Sequence, residues 1–318
     1  MHRVHVILTT HTTRHLRRSL LGVAVQGVKP GHIVVSCDND DPAIAQLVCA
    51  CSAEFSVPMS IVQRPNMGGC RVGQARNNGF KGVRALGVHP DDRVLFFDGD
   101  ICPAVDVVEV HRRRGSAADL LIGFRIELSE PQTEAFDEDA VRRGRAPAVI
   151  EPGQFEALVQ RDARYRRQLW LRKLHMTKPH KPKLLSAHFS VCVRAMERVN
   201  GFDEEFTGWG QEDDDLGRRL HSSGASCGVV IREAVAYHQW HPTRAPGDWK
   251  DSAGVDRFHR NLHWHCERGI IHPLEQPRPV LQRFESGREV ERIELENPQR
   301  ERVQREDGEP SQPAANAT

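Results

Sequence analysis

Long apolar runs are missing from this 318-residue chain. No stretch approaches the roughly 20 consecutive apolar residues that a membrane-spanning helix needs. An excess of charge of one sign is missing too: 44 basic and 43 acidic residues leave a formal net charge of +1. So even a balance gives no global attraction to nucleic acid or to an anionic membrane, and either partner would need a local patch. Nucleic acid is not expected as a partner. The opening stretch Met1–Thr10 carries His2, Arg3 and His5 and no small-residue cleavage site follows it, so a cytoplasmic protein is expected. Of the eight cysteines, Cys49 and Cys51 form the one close pair. Without a second such pair a structural zinc site is not expected, and without export the thiols should be reduced. Glycine is absent from the loop Thr9–Thr13, which excludes a glycine-rich phosphate loop after the first apolar run.

What is present is an ordinary core composition, 39% hydrophobic and 27% charged, arranged in an alternating rhythm. Val4–Leu8, Ile33–Ser36, Val57–Val62 and Arg93–Phe97 read as strands. Arg14–Gln26, Pro42–Ala53 and Cys70–Leu86 read as the helices between them. This repetition predicts an α/β fold with a mostly parallel central sheet flanked by helices. Parallel sheets bind ligands at the carboxyl ends of their strands, and polar clusters follow the first, second and fourth strands. Further on, Glu127–Gly153 reads as a long loop, Gln154–Leu174 as a helix, Leu184–Val193 as a strand, Asp213–Ser223 as a helix and Ser226–His238 as one or two strands. Residues 1–275 are expected to form one domain. From Gln276 to Thr318 the chain turns charged and poor in apolar residues, which reads as a disordered tail.

Two acidic motifs carry chemistry. Asp98-Gly99-Asp100 ends the strand RVLFF, where two carboxylates one residue apart can approach one divalent cation; hard oxygens suit Mn²⁺ or Mg²⁺. The second is Gly208-Trp209-Gly210-Gln211-Glu212-Asp213-Asp214-Asp215-Leu216, preceded by Asn200-Gly201-Phe202-Asp203. Four consecutive acids repel one another unless a helix N-terminus or a cation compensates, and a helix is predicted to begin there. A carboxylate so held can take a proton from a sugar hydroxyl. Trp209 offers a flat face to a sugar ring, with room left by Gly208 and Gly210.

Gly201-Phe202-Asp203 followed by GWGQEDDDL resembles the signature of inverting glycosyltransferases of the GT-A fold, closest to family 2 enzymes and to the C-terminal motif of the β-1,4-galactosyltransferases. The resemblance runs from about Val4 to His238. It implies that Thr9, His11, Asp38, Arg76 and Asp98 meet the donor nucleotide, Arg76 through the element Arg76-Asn77-Asn78-Gly79. It implies that Asp100 ligates the metal, with Asp98 on ribose or metal, and that Asp213 is the general base. Trp209, Gly210 and Glu212 would hold the acceptor sugar. The triplet Tyr237-His238-Gln239 resembles the late histidine element of chondroitin-polymerase-like enzymes, so His238 is the third expected metal ligand; His241 is the weaker candidate. The galactosyltransferases also place a methionine ligand near here, and this chain has none between Cys227 and Trp264.

The reading is therefore a metal-dependent inverting transferase that moves a sugar from a nucleotide sugar, with UDP the default base, to a hydroxyl of a glycan, a lipid-linked sugar or a small molecule. A sugar nucleotidyltransferase is one alternative, opposed by the glycine-free loop after the first strand. A non-catalytic sugar-binding protein on the same fold is the other, opposed by the intact acidic motifs. The basic stretch 161–183, interleaved with Tyr165, Trp170 and leucines, reads either as a contact for the cytosolic face of a membrane or as a solvated helix face.

Overall fold

The computed structural model describes residues 2–144, 149–178, 180–208, 210–242, 253–260 and 262–296. The first half alternates as expected: β1 (Val4–Thr10), α1 (Leu16–Ala24), β2 (Ile33–Cys37), α2 (Pro42–Glu54), β3 (Met59–Gln63), α3 (Val72–Ala85) and β4 (Arg93–Asp98). There follow β5 (Ile101–Pro103), α4 (Val107–Gly115), β6 (Leu120–Ile122), β7 (Ile126–Glu127), α5 (Glu130–Ala135), α6 (Glu138–Arg142) and the long α7 (Pro152–Lys173). The last part holds β8 (His188–Cys192), α8 (Val193–Arg198), α9 (Glu212–Ser222), β9 (Cys227–Val229), β10 (Ala236–His238), α10 (Ala253–Arg260), β11 (Val280–Glu285) and β12 (Arg288–Glu294).

Nine strands form one sheet in the order β12-β11-β3-β2-β1-β4-β8-β6-β9. Its centre, β3-β2-β1-β4, is parallel, while β8 runs antiparallel between β4 and β6. Central strands are covered on both faces, so all seven residues of β1 are buried and the run reads as continuously apolar. Local chemistry sets the helix starts. Pro42 occupies the first turn of α2, and the Asp41 carboxylate accepts from the Ala43 amide at 2.9 Å, as an N-cap should. A second, three-stranded sheet has the order β5-β10-β7.

Two expectations need correction. The segment 127–153 is not one loop: it contains α5, with a Ser129–Gln132 capping box, and α6, capped by Asp137. Nor does structure end at 275. Strands β11 and β12 form a hairpin, and β11 pairs antiparallel with β3 over Val280–Phe284. Only Leu281, Phe284 and Leu295 of this stretch are buried apolar residues. An edge hairpin needs few inward side chains, so its composition looks like that of a tail. The expected tail residues 297–318 lie outside the described residues.

A buried ion triad fastens α9 to the turn that follows α8. The Asp215 carboxylate, fully buried, takes the Arg218 and Arg219 guanidinium groups at 2.6 Å each. Arg219 also donates to the carbonyls of Val199 and Gly201, each at 2.8 Å. Asp215→Asn leaves two buried cations short of a counter-charge and is expected to cost about 3–5 kcal/mol. Urea unfolding checks this, and a loss below about 1 kcal/mol would contradict it.

Candidate active site

The carboxyl ends of β1, β2 and β4 meet at one rim. Thr9 pairs in register with Asp98, and the Gly99 amide donates to the Thr9 carbonyl at 2.7 Å. A Cβ on Gly99 would lie 2.6 Å from the Thr10 Cβ. Glycine is thus required here by contact with β1. On the same rim the Thr9 hydroxyl and one Asp38 carboxylate oxygen are buried without a hydrogen-bond partner among the described residues. The Asp38 carbonyl accepts from Arg64 at 3.2 Å. His11 is exposed, its carbonyl accepting from Asn39.

Arg76 joins this rim to the second motif. Its guanidinium, 3% exposed, reaches Asp98 at 2.8 Å and Glu212 at 3.1 Å. It lies over the Phe202 ring, 5.4 Å from the centroid. The neighbouring Asn77 locks the two segments together: it donates to the Phe202 carbonyl and the Glu204 carboxylate and accepts from the Phe202 amide. The Arg76-Asn77 pair on α3 therefore places a helix from the first half against the turn that precedes α9. Asp98 faces the arginine rather than the metal candidates described below.

The four consecutive acids have four different surroundings. Glu212 is buried against Arg76; burial and the neighbouring Asp213 push its pKa up to about 7 against the pull of Arg76. Asp213 is half-buried, accepting from the Asp214 amide at 2.7 Å and the Ser186 amide at 3.4 Å. Burial, then Asp214, raise its pKa, while Arg76 lowers it. Asp214 pairs with Lys183 and Asp215 with the two arginines. The helix N-terminus eases the repulsion that remains. Gly208, Gly210 and Gln211 all adopt positive φ, of 100°, 94° and 74°. Nothing lies within 4 Å of a Cβ on Gly208, so the turn geometry and not lack of room demands glycine there. Gly210 is half-buried, and Trp209 lies outside the described residues.

The small sheet supplies the remaining cluster. β10 runs antiparallel to β5 and parallel to β7, so His238 pairs with Ile101 on one side and Glu127 on the other. One carboxylate oxygen of Asp100 stands 3.4 Å from His238 Nε2 and 3.1 Å from His241 Nε2. These three side chains can offer ligand atoms all within 4.8 Å of one another. His238 Nδ1 donates to Glu127 at 2.5 Å, and Arg125 pairs with Glu127 at 2.7 Å. Burial would lower the His238 pKa, but the hydrogen bonds to Asp100 and Glu127 outweigh it and hold the imidazolium up to about 9. Burial would raise the Asp100 pKa, but the hydrogen bonds from His238 and His241 outweigh it and keep this carboxyl well below the usual carboxylate range.

Imidazole and carboxylate donors fit Mn²⁺, and the second Asp100 oxygen is buried with no partner among the described residues. A carboxylate behind a ligating histidine is the usual support for such a site. Sequence reasoning missed Glu127. It sits on a two-residue strand in a segment read as loop, and only the β10 pairing brings it to His238. It also ranked His241 below His238, whereas the structure sets both against Asp100.

Comparison with known proteins agrees with this architecture. The family described as the N-terminal domain of galactosyltransferase matches residues 171–239. Validoxylamine A glucosyltransferase from Streptomyces hygroscopicus subsp. jinggangensis (strain 5008) is 47% identical over 105 residues, 32% of this chain and 22% of that protein. The chain thus spans about a fifth of the length of this curated relative. Among solved structures, GalNAc-T7 with UDP, GalNAc and Mn²⁺ superposes with a TM-score of 0.50 and 12% identity, over 77% of this chain and 44% of that one. S. aureus TarS 1–349 in complex with UDP-GlcNAc gives a TM-score of 0.48 and 14% identity, over 76% and 60%. No helix among the described residues is long and apolar enough to cross a membrane. The chain therefore has the fold of the GT-A glycosyltransferases, and its residues 171–239, which include the four consecutive acids and His238, match the family described as the N-terminal domain of galactosyltransferase.

Proposed function

We propose that this chain transfers a sugar, with inversion, from a nucleoside-diphosphate sugar to an acceptor hydroxyl. The observation that carries the reading is Arg76. One buried guanidinium touches both a carboxylate of the Asp98-Gly99-Asp100 motif and the first acid of α9, which supports placing the two motifs on one cleft. Thr9, His11 and Asp38 edge the part of that cleft nearest the strand ends, where the nucleotide would sit. Asp213 takes the acceptor hydroxyl proton as that oxygen attacks the anomeric carbon, on the face opposite the departing nucleoside diphosphate. Glu212 and Gly210, with Trp209, would hold the acceptor sugar. Asp100, His238 and His241 would hold a divalent cation, with Glu127 orienting His238. When bound, the cation would neutralise charge that grows on the leaving diphosphate, an effect worth several kcal/mol. Asp98 stays with Arg76 and the nucleotide in this arrangement.

The name of the curated relative makes a glucosyl donor and validoxylamine A the first pair to try, and the UDP and Mn²⁺ of GalNAc-T7 make these the first donor parts. In a melting-temperature panel of nucleotides with and without Mn²⁺, a uridine nucleotide plus Mn²⁺ is expected to stabilise the protein by several degrees, as any ligand selective for the native state does. Product assays should then show nucleoside diphosphate released in step with acceptor glycosylation. Release of pyrophosphate from a nucleoside triphosphate and a sugar phosphate would replace this reading with nucleotidyl transfer.

A further inference from the structure

The long helix α7 has a face that the active site does not use. Its inner face is set by Leu158, Asp162 and Tyr165, all buried. Positions 160, 163, 164, 167, 170, 171 and 174 recur at three- and four-residue spacing and so share the opposite face. The apolar side chains there and just beyond stand out in solvent: Trp170 is 60% exposed, Leu174 49% and Met176 67%. Large apolar groups clustered in this way mark a contact surface.

Beyond Glu156, which is exposed at the N-terminal end of this face, its charge is of one sign. Between 157 and 196 the single acid is Asp162, which is buried and neutralised by Arg166 at 2.6 Å. Several cations of the stretch are engaged elsewhere. Arg161 lies 3.9 Å over the Phe124 ring, Arg166 also meets Glu233, Arg172 donates to the Lys181 carbonyl, and Lys183 pairs with Asp214. Arg164, Arg167, Lys173 and Lys178 are exposed and enter no ion pair among the described residues. Four exposed cations with no ion-pair partner among the described residues therefore accompany three exposed apolar groups, in a chain whose net charge is only +1.

We infer that this face of α7, continued through Lys178, docks the protein on an anionic lipid bilayer. The apolar side chains enter the headgroup boundary, with Trp170 at the interface level that suits an amphipathic ring. The cations meet lipid phosphates. A protein ligand of ordinary surface chemistry would bring mixed charge to this face, whereas a bilayer rich in acidic headgroups matches a stretch whose exposed charged groups between 160 and 178 are all cations. The inference does not rest on the catalytic reading, because the residues named lie outside the cleft.

Co-sedimentation of the full chain with vesicles tests it, without nucleotide or acceptor. Vesicles of phosphatidylcholine mixed with an equal part of phosphatidylglycerol are expected to carry the protein down; vesicles of phosphatidylcholine alone are not. Each cation near an anionic surface contributes about fivefold in partitioning, so the combined variant Arg164→Gln, Arg167→Gln, Lys173→Gln and Lys178→Gln should bind a few hundredfold more weakly. Trp170→Ala should weaken binding with its charge intact, and raising salt to about 0.5 M should weaken it for the native chain. Melting temperature with a uridine nucleotide and Mn²⁺, measured on the same variants, should match that of the native chain. A fault there concerns the cleft and not the lipid face. The inference fails if phosphatidylglycerol vesicles leave the protein in solution, if the fourfold variant binds them as the native chain does, or if the face captures a soluble acidic polysaccharide while ignoring vesicles.

Discussion

Asp213→Asn is expected to lower the rate of transfer about 10²–10⁴-fold while nucleotide binding in the presence of Mn²⁺ stays intact. The substitution keeps the shape of the side chain. It removes the one carboxylate of the four that is half-exposed and free of a charged partner in contact with it: Glu212 is held by Arg76, Asp214 by Lys183 and Asp215 by two arginines. In the proposed mechanism, this position is what fits Asp213 to take the proton. Equal turnover by the asparagine variant would end the assignment. Loss of nucleotide binding would show that Asp213 serves the donor instead.

The same carboxylates set an acid limb in the pH profile. A base must be ionised to accept a proton, so the rate rises as the pH climbs through its pKa. Burial raises both Glu212 and Asp213 above the usual carboxylate range, and for Glu212 the value is about 7. Each resists the ionisation of the other, so the pair sheds its last proton near neutrality and its apparent pKa values belong to the pair. The limb in kcat/KM is therefore expected near pH 7. In Glu212→Gln one acid is gone while Arg76 remains, so the limb should move to lower pH even as the variant loses rate.

Much of this arrangement was legible in the chain. The alternation of apolar runs and helical segments pointed to a mostly parallel centre, though not to its order β3-β2-β1-β4, because continuous apolar runs are what doubly covered strands require. The Asp98-Gly99-Asp100 and Glu212–Asp215 motifs marked the site because adjacent acids are costly unless something uses them. Less visible was what long-range pairing creates. Glu127 carries no local signal; it faces His238 because β7 and β10 lie side by side across more than a hundred residues. His241 looked like one of seventeen histidines until the turn after β10 brought it to Asp100. Arg76 was read as a donor contact, and its second contact with Glu212 depends on how α3 packs against the turn at Gly201. The hairpin β11-β12 was lost for a different reason: an edge hairpin buries too little to leave an apolar pattern.

The cation site should respond in graded steps. Asp100→Asn replaces the single anionic ligand candidate among Asp100, His238 and His241 with a neutral amide. It is expected to abolish the Mn²⁺-dependent rise in melting temperature with a uridine nucleotide and to cut transfer by at least about 10³-fold, the size of losing several kcal/mol of charge neutralisation. Adding a chelator to the native chain should reproduce both effects. His238→Ala and His241→Ala should each weaken Mn²⁺ binding, because both imidazoles stand within 3.4 Å of the same Asp100 oxygen. Glu127→Gln should do less, about 10–100-fold in metal affinity, since it turns His238 without being a ligand. That order separates a true cation site from a plain charge cluster. In a cluster held only by protons, Asp100→Asn would leave His238 paired with Glu127, nucleotide binding would ignore the chelator, and all four variants would bind the uridine nucleotide as the native chain does.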